Sequence, residues 1–203
     1  MRIGVLKTHG LAVLLVGLAC LSHVSGQEAK VPAPESLNLL RGRAEKGDAD
    51  AQSNLGLLYA QGQVVPQDFV EAVRWYRKAA EQGYAEEQLP LGVAYANGAG
   101  VTQDYAEAVR WYRKAAEQGN ADAQLNLGLM CANGQGVGQD YVQAHMWTSL
   151  AASGATGDDQ KKFAGPRDDI AARMTPAQIA EAQRRAREWK PKSSENTGGG
   201  PTE

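Results

Sequence analysis

Past residue 26 the chain holds one thiol, Cys131, and one imidazole, His145, 14 residues apart. A base near a thiol can draw off its proton and leave a thiolate nucleophile. No third residue stands out to orient the imidazole, and Cys131 occupies a place where sister segments carry tyrosine. That substitution points to inert packing. Metal chemistry needs His, Cys or carboxylate ligands clustered at fixed spacing, and no such cluster exists, so neither a metal nor a cofactor is expected. The doublets Asp158/Asp159 and Asp168/Asp169 offer paired carboxylates, but their setting reads as helix capping or solvation. The loops Gly62–Gln67, Gly98–Gln103 and Gly134–Gln139 repeat a glycine-valine pattern. They follow helices, whereas the phosphate-binding form follows a strand and opens a helix.

The elements that position these residues are set by one stretch, Glu71–Gly83, EAVRWYRKAAEQG, which returns unchanged at Glu107–Gly119, 36 residues on. Self-similarity at that period means stacked units, each a helical pair unable to bury its apolar face alone. As a helix the stretch places Ala72, Trp75, Tyr76, Ala79 and Ala80 on one stripe and Arg74, Arg77, Lys78 and Glu81 on the other side. Asp68 with Glu71, Asp104 with Glu107 and Asp140 with Gln143 have capping-box spacing. Gly83, Gly119 and, one residue out of step, Gly154 stand where a left-handed C-cap is expected.

Three units follow from this, residues 48–83, 84–119 and 120–155. Their first helices turn inward Ala51, Leu55, Leu58 and Tyr59; then Glu87, Leu91, Ala94 and Tyr95; then Ala123, Leu127, Met130 and Cys131. Gly56, Gly92 and Gly128 recur inside these helices although each costs about 1 kcal/mol of propensity against alanine. With Ala60, Ala96 and Ala132 one turn on, they predict a smooth patch where a neighbouring helix backbone comes close. In each loop the first glycine is expected to end a helix and the valine to pin the turn. Residues 35–47 align with the end of a unit and read as an N-terminal capping helix.

After Gly154 the period is no longer visible. Asp158–Met174 reads as one helix, and Thr175-Pro176-Ala177-Gln178 starts another, with Ile179, Ala182, Ala186 and Trp189 as its stripe. Residues 156–189 are thus C-terminal capping helices, and the composition beyond Lys190 reads as a disordered tail.

The beginning of the chain has the character of an export signal. Arg2 and Lys7 precede an apolar run, Leu11–Leu21, that ends in Val24-Ser25-Gly26. Cleavage there leaves 27–34 as a linker and moves the formal charge from −2 to −4, because residues 1–26 carry two cations and no anion. A nucleic-acid partner wants a basic stripe, so none is expected. Only Cys131 remains, so no internal disulfide forms. The alternative is a lipobox at Gly17-Leu18-Ala19-Cys20, with lipid on Cys20 anchoring the chain to a membrane.

The unit A-x-x-x-L-G-x-x-Y, G-x-G-V-x-x-D, A-x-x-W-Y-x-K-A-A-x-x-G resembles the Sel-one-like repeat, a cousin of the tetratricopeptide repeat. The resemblance covers residues 35–154. The third unit keeps Ala123, Leu127, Gly128, Gly134, Gly136, Val137, Asp140, Ala144 and Trp147 but has Cys131 for the tyrosine and Thr148 for the next aromatic; the second departs at Pro90. The resemblance implies an all-α, right-handed superhelical solenoid of antiparallel helix pairs. It also implies an adaptor for other proteins, exported members serving envelope or host-contact systems, and it carries no catalytic motif.

A second stripe on the first helices lies away from the core: Asp50, Asn54, Leu57, Gln61; Glu86, Pro90, Val93, Asn97; Asp122, Asn126, Leu129, Asn133. In tetratricopeptide relatives first helices line the concave surface, and an asparagine before Leu-Gly, here Asn54 and Asn126, grips a peptide. The acids Asp50, Glu86 and Asp122 stand where those relatives carry cations, so a basic or neutral guest is expected. The competing reading is a plain solvated face. The clusters Arg74, Arg77, Lys78 and Arg110, Arg113, Lys114 are read as solvated cations favoured near helix C-termini rather than an anion-binding surface. The expectation is a non-enzymatic periplasmic or secreted scaffold that binds a protein or peptide. The alternative is a cell-wall hydrolase or β-lactamase of the cysteine-rich repeat type, whose paired cysteines this chain lacks.

Overall fold

The structure is a computed structural model that describes residues 34–62 and 64–192, with the backbone alone at Pro34, Glu35, Ser36, Ala85 and Asp158. The expected signal, Cys20 and the linker up to residue 33 lie outside the described residues. Among those residues there are nine helices and no strand: α1 Pro34–Glu45, α2 Ala49–Gln61, α3 Phe69–Glu81, α4 Ala85–Asn97, α5 Tyr105–Glu117, α6 Ala121–Asn133, α7 Tyr141–Ser153, α8 Asp158–Ala171 and α9 Pro176–Glu188. The units are α2/α3, α4/α5 and α6/α7, each helix packing on its neighbours in sequence order.

Local chemistry fixes the boundaries. Asp68 accepts hydrogen bonds from the backbone N–H of Val70 and Glu71, Asp104 does the same one unit on, and Asp140 caps Gln143. The reciprocal half of the expected capping boxes is missing. The amides of Asp68, Asp104 and Asp140 already donate to the carbonyls of Tyr59, Tyr95 and Cys131, at 2.9 Å each. Glu71 and Glu107 are therefore free to pair with Arg74 and Arg110. One complete box forms, at Thr175 and Gln178.

Helix α3 ends in a turn where Gly83 N–H meets the Ala80 carbonyl at 3.0 Å and Tyr84 N–H the Ala79 carbonyl at 3.3 Å. Gly83, with φ of 91°, supplies the left-handed residue this turn requires. Gly154 does not: its φ is −106°. It sits one place early, at the position of Gln118 rather than Gly119.

The units lock through Leu55, Leu91 and Leu127, all 0% exposed, and through the second-helix aromatics. The expected close approach at the helical glycines is real, but mainly an aromatic ring fills it. A Cβ built on Gly56 would lie 2.7 Å from Tyr76 Cδ1, and Gly92 has the same relation to Tyr112. At Gly128 the neighbours are the Thr148 methyl and, at 3.0 Å, the Ala144 carbonyl. The sequence reading missed a set of amide clamps, some joining a unit to the element before it and some the two helices of one unit. Buried Gln52 and Gln124 donate to the carbonyls of Ala44 and Ala116 at 3.0 and 3.1 Å, and Gln82 and Gln118 donate to Gln52 and Gln88. Each satisfies backbone or amide groups that burial would otherwise leave costly.

At one end α1 covers Leu55 and Trp75 with Leu37, Leu40 and Ala44. At the other, the period expected to fail after Gly154 persists as spacing: α8 and α9 start 37 and 35 residues after α6 and α7. What fails is the pairing. The first-helix Leu-Gly becomes Phe163-Ala164, and the place of Tyr112 holds Arg184, ion-paired to Glu181 and Glu188. With no notch and no ring to fill it, α9 packs against α7, where Trp189 meets Trp147 edge-on at 6.2 Å. The chain then returns to α5: Lys192 bonds the Glu117 carbonyl and carboxylate, both at 2.8 Å. Of the tail expected from Lys190, Lys192 is thus tied to α5, and the part from residue 193 lies outside the described residues.

Candidate protein-interaction surface

The outer stripe of the first helices is positioned by the caps and by the inward leucines, which fix each helix's rotation. Asp48 and Asn120 cap α2 and α6 through Ala51 N–H and Ala123 N–H, whereas Tyr84, at the start of α4, makes no side-chain cap. Its phenol instead lies near the Asp50 carboxylate of the preceding unit, which pushes it above its ordinary value. Ser53 donates to Glu87, so α2 and α4 lie side by side with their stripes adjacent.

Along this stripe Asp50, Asn54, Glu86 and Asn97 are exposed, and Leu57, Gln61, Asn126 and Asn133 are half-buried. Gln61 has a side-chain oxygen buried without a partner. Two members of the stripe, Pro90 and Val93, are buried and do not present surface, and Leu129 is half-buried. Val93 is 3% exposed and belongs to the main core. It is one carbon shorter than Leu57 and Leu129, and its helix belongs to the middle unit, with a complete unit on either side. Leu129 packs beside Leu125, Ala151 and Phe163. Asp122 is also engaged, in an ion pair with Lys162 of α8. The stripe is thus open over unit one and at the two ends of α4, Glu86 and Asn97, and partly closed over unit three, where α8 lies alongside.

Glu87 is the residue whose role the sequence reading understated. Units one and three carry alanine at its position, Ala51 and Ala123, and the register alone marks the exception. Its carboxyl is 4% exposed. Burial pushes it up to about 7, against the Ser53 hydrogen bond, with Glu86 adding to the rise.

The other candidate chemistries come apart. Burial pushes the Cys131 thiol up to about 11, the opposite of an activated nucleophile. His145 Nδ1 lies 3.3 Å from Ser149 on its own helix. No group of three His, Cys, Asp or Glu able to hold a metal occurs among the described residues. The loop glycines serve packing: a Cβ on Gly100 would come within 2.7 Å of Val70 N, at the start of the preceding second helix. Val65, Val101 and Val137 are turned toward the core as expected. The second-helix cations are largely occupied. Arg74 pairs with Glu71, Lys78 and Lys114 lie 4.3 and 4.2 Å from the Trp75 and Trp111 ring centres, and Arg77 donates to the Tyr95 hydroxyl at 2.5 Å. A cleft of about 390 Å³ opens at the C-terminal end between Gly119, Asp122, Leu150, Lys162, Phe163 and Trp189. No described helix is long and apolar enough to cross a membrane.

These features define an all-α helical repeat solenoid. Comparison with known proteins agrees: the Sel1 repeat model matches residues 49–84, 89–120 and 121–155. The chain belongs to the Sel1 repeat family. It is similar to the crystal structure of a Sel1 repeat protein from Oxalobacter formigenes, with 37% identity over 64% of this chain and 98% of that one and a TM-score of 0.56. It is also similar to c5321, a protective antigen present in uropathogenic Escherichia coli strains that displays an SLR fold. There the identity is 30%, over 76% of this chain and 40% of that one, with a TM-score of 0.56. No curated protein matches the sequence.

Proposed function

We propose that the chain is a non-enzymatic interaction scaffold of the periplasm or extracellular space that holds a segment of another protein along the first-helix stripe of units one and two. The observation that carries this reading is the contrast between the two faces. Asp50, Asn54, Glu86 and Asn97 reach solvent on α2 and α4, whereas Arg74, Arg77, Lys78 and Lys114 on the second helices are engaged by carboxylates and rings. The exposed acids favour a basic or neutral guest, as Lys162 illustrates within the chain at Asp122. Family membership supports a scaffold, and the burial of Cys131 speaks against a hydrolase built on a reactive thiol.

The test is to identify the guest by crosslinking in the native envelope and to measure its affinity for the Asn54→Ala/Leu57→Ala/Asn97→Ala variant. The proposal expects at least a tenfold loss; an unchanged affinity for every captured partner makes the stripe a plain solvated face. Mass spectrometry of the mature N-terminus decides the location, Gln27 marking a cleaved signal and a modified Cys20 a lipid anchor.

A further inference from the structure

The joint between units one and two is built differently from the joint between units two and three. At the inward position where α6 carries Ala123, α4 carries Glu87, a buried carboxyl that lies against α2 and accepts a hydrogen bond from the Ser53 hydroxyl. Three residues on, Pro90 stands inside the same helix. It lacks the N–H that would tie that turn to the one before, so α4 is weakest next to its buried acid.

Apart from the Ser53 hydroxyl, whose hydrogen bond favours the ionised form, the groups around this carboxyl do nothing to hold a negative charge. From α2 the charged residues at this end are Asp48 and Asp50, and from α4 itself Glu86. From α3 comes the Tyr76 phenol, which burial and the Glu87 charge both push up. The cations of α3 are committed elsewhere, Arg74 to Glu71, Arg77 to Tyr95 and Lys78 to the Trp75 ring. On the other flank of α4, α5 sets Tyr112 against Gly92, while Arg110 pairs with Glu107 and Arg113 is exposed.

We propose that Glu87 makes the joint between α2/α3 and α4/α5 a proton-controlled hinge, closed while the carboxyl is protonated and bonded to Ser53, and loosened when it ionises. Protonated, the acid has an oxygen to accept from Ser53 and no charge to desolvate. Ionised, it is a buried anion without a cation, and the cheapest relief is to let water in by parting the units. The sign follows from linkage. The folded carboxyl titrates near 7 and the free one near 4.5. Over that interval the opened state sheds a proton that the closed state keeps, so the closed-to-open ratio falls by up to tenfold per pH unit and levels off above neutrality. Unit one, with α1, would then swing or fray while units two and three, joined through alanine, stay together. Since the stripe of the proposed guest runs across this joint, opening would break it, but the hinge itself needs no guest.

The test uses the full chain and two variants, Glu87→Gln and Glu87→Ala, the latter being the residue found at 51 and 123. Amide exchange is followed from pH 5 to pH 8.5, and wild type is divided by variant at each pH so that the intrinsic pH dependence cancels. The proposal expects protection in α2 and α3 to fall at least tenfold in wild type relative to either variant as pH rises from 5 to 7 and then to level off, with α6 and α7 unchanged. Ratios flat with pH, or a loss spread evenly over all three units, overturn it. As a check that needs no variant, the Glu87 side-chain carbonyl, read by carbon NMR, should titrate well above an ordinary glutamate; a midpoint near 4.5 overturns the proposal as well.

Discussion

The Tyr112 ring occupies the notch left by Gly92: a Cβ built there would lie 2.5 Å from Tyr112 Cε1 and 3.0 Å from Cγ. Gly56 and Tyr76 repeat the relationship one unit earlier, so the helix-weakening glycine and the second-helix tyrosine are one device. Alanine at position 92 gains about 1 kcal/mol of helix propensity yet must displace a ring held in a packed core, a strain of about 1–3 kcal/mol. We expect Gly92→Ala to lower the urea midpoint and Gly92→Leu to open the stack. Gly42 of α1 has nothing within 4 Å of its would-be Cβ, and Gly42→Ala should raise stability by about 0.5–1 kcal/mol. Equal midpoints for the Gly92 variants and wild type would contradict the interlock.

The loops offer a second comparison. At Gly136 a Cβ would come within 2.7 Å of Ala106 N, at the head of the preceding second helix, and φ is 68°. The aligned residue in unit one is Val64, whose preceding helix, α1, is the shorter cap. Gly136→Ala should cost at least about 2 kcal/mol, combining left-handed strain with the clash, whereas Val64→Gly should cost about 1 kcal/mol or less. Thermal melts of the two variants check this ordering.

The array was legible because identical thirteen-residue segments announce their period and an amphipathic stripe announces its buried side. Asp68, Asp104 and Asp140 were correctly read as caps from residue type and position. The partner of each cap was not, since whether Glu71 bonds Asp68 or Arg74 depends on a carbonyl at Tyr59 that only the loop's path brings near. The fourth pair was illegible for a related reason. Phe163-Ala164 and Arg184 keep the spacing of Leu-Gly and tyrosine but none of the letters, and what they change is the packing partner of α9. Within the stripe, residue type predicted exposure where the helix ends were free, at Asp50 and Asn97. It failed at Val93, where exposure depends on neighbouring units and side-chain length.

Burial holds the His145 imidazole below its ordinary value of 6.5, with Arg167 acting in the same direction and Asp168 against it. Below pH 6.5 the unfolded chain takes up a proton that the folded chain resists, so this residue's stability contribution is present above 6.5 and lost as pH falls. His145→Gln should flatten the acid-side decline in melting temperature between pH 6.5 and 5. That slope is opposite in sign to the one assigned to Glu87, so the two variants separate the effects. An unaltered acid slope in His145→Gln would remove the histidine from the account.

The Cys131 thiol, pushed up to about 11 by burial at 0% exposure, should be unreactive in the folded chain. At pH 8 its thiolate fraction is about a hundredfold below that of an unburied thiol with the ordinary value of 9.0, and access lowers the rate further. A disulfide reagent should label it slowly in buffer and rapidly in denaturing urea. Rapid stoichiometric labelling of the native protein would reopen the nucleophile reading.

The claim that a guest lies along the first helices is tested most directly by a photo-crosslinking residue placed singly at Asn54, at Asn97 and, on a second helix, at Arg113, in the native cell. The account predicts that Asn54 and Asn97 capture the same partner and that adding Asp50→Lys to the Asn54 probe abolishes the adduct, with Arg113 silent. Capture of that partner from Arg113 alone, or undiminished capture with Asp50→Lys, would contradict it.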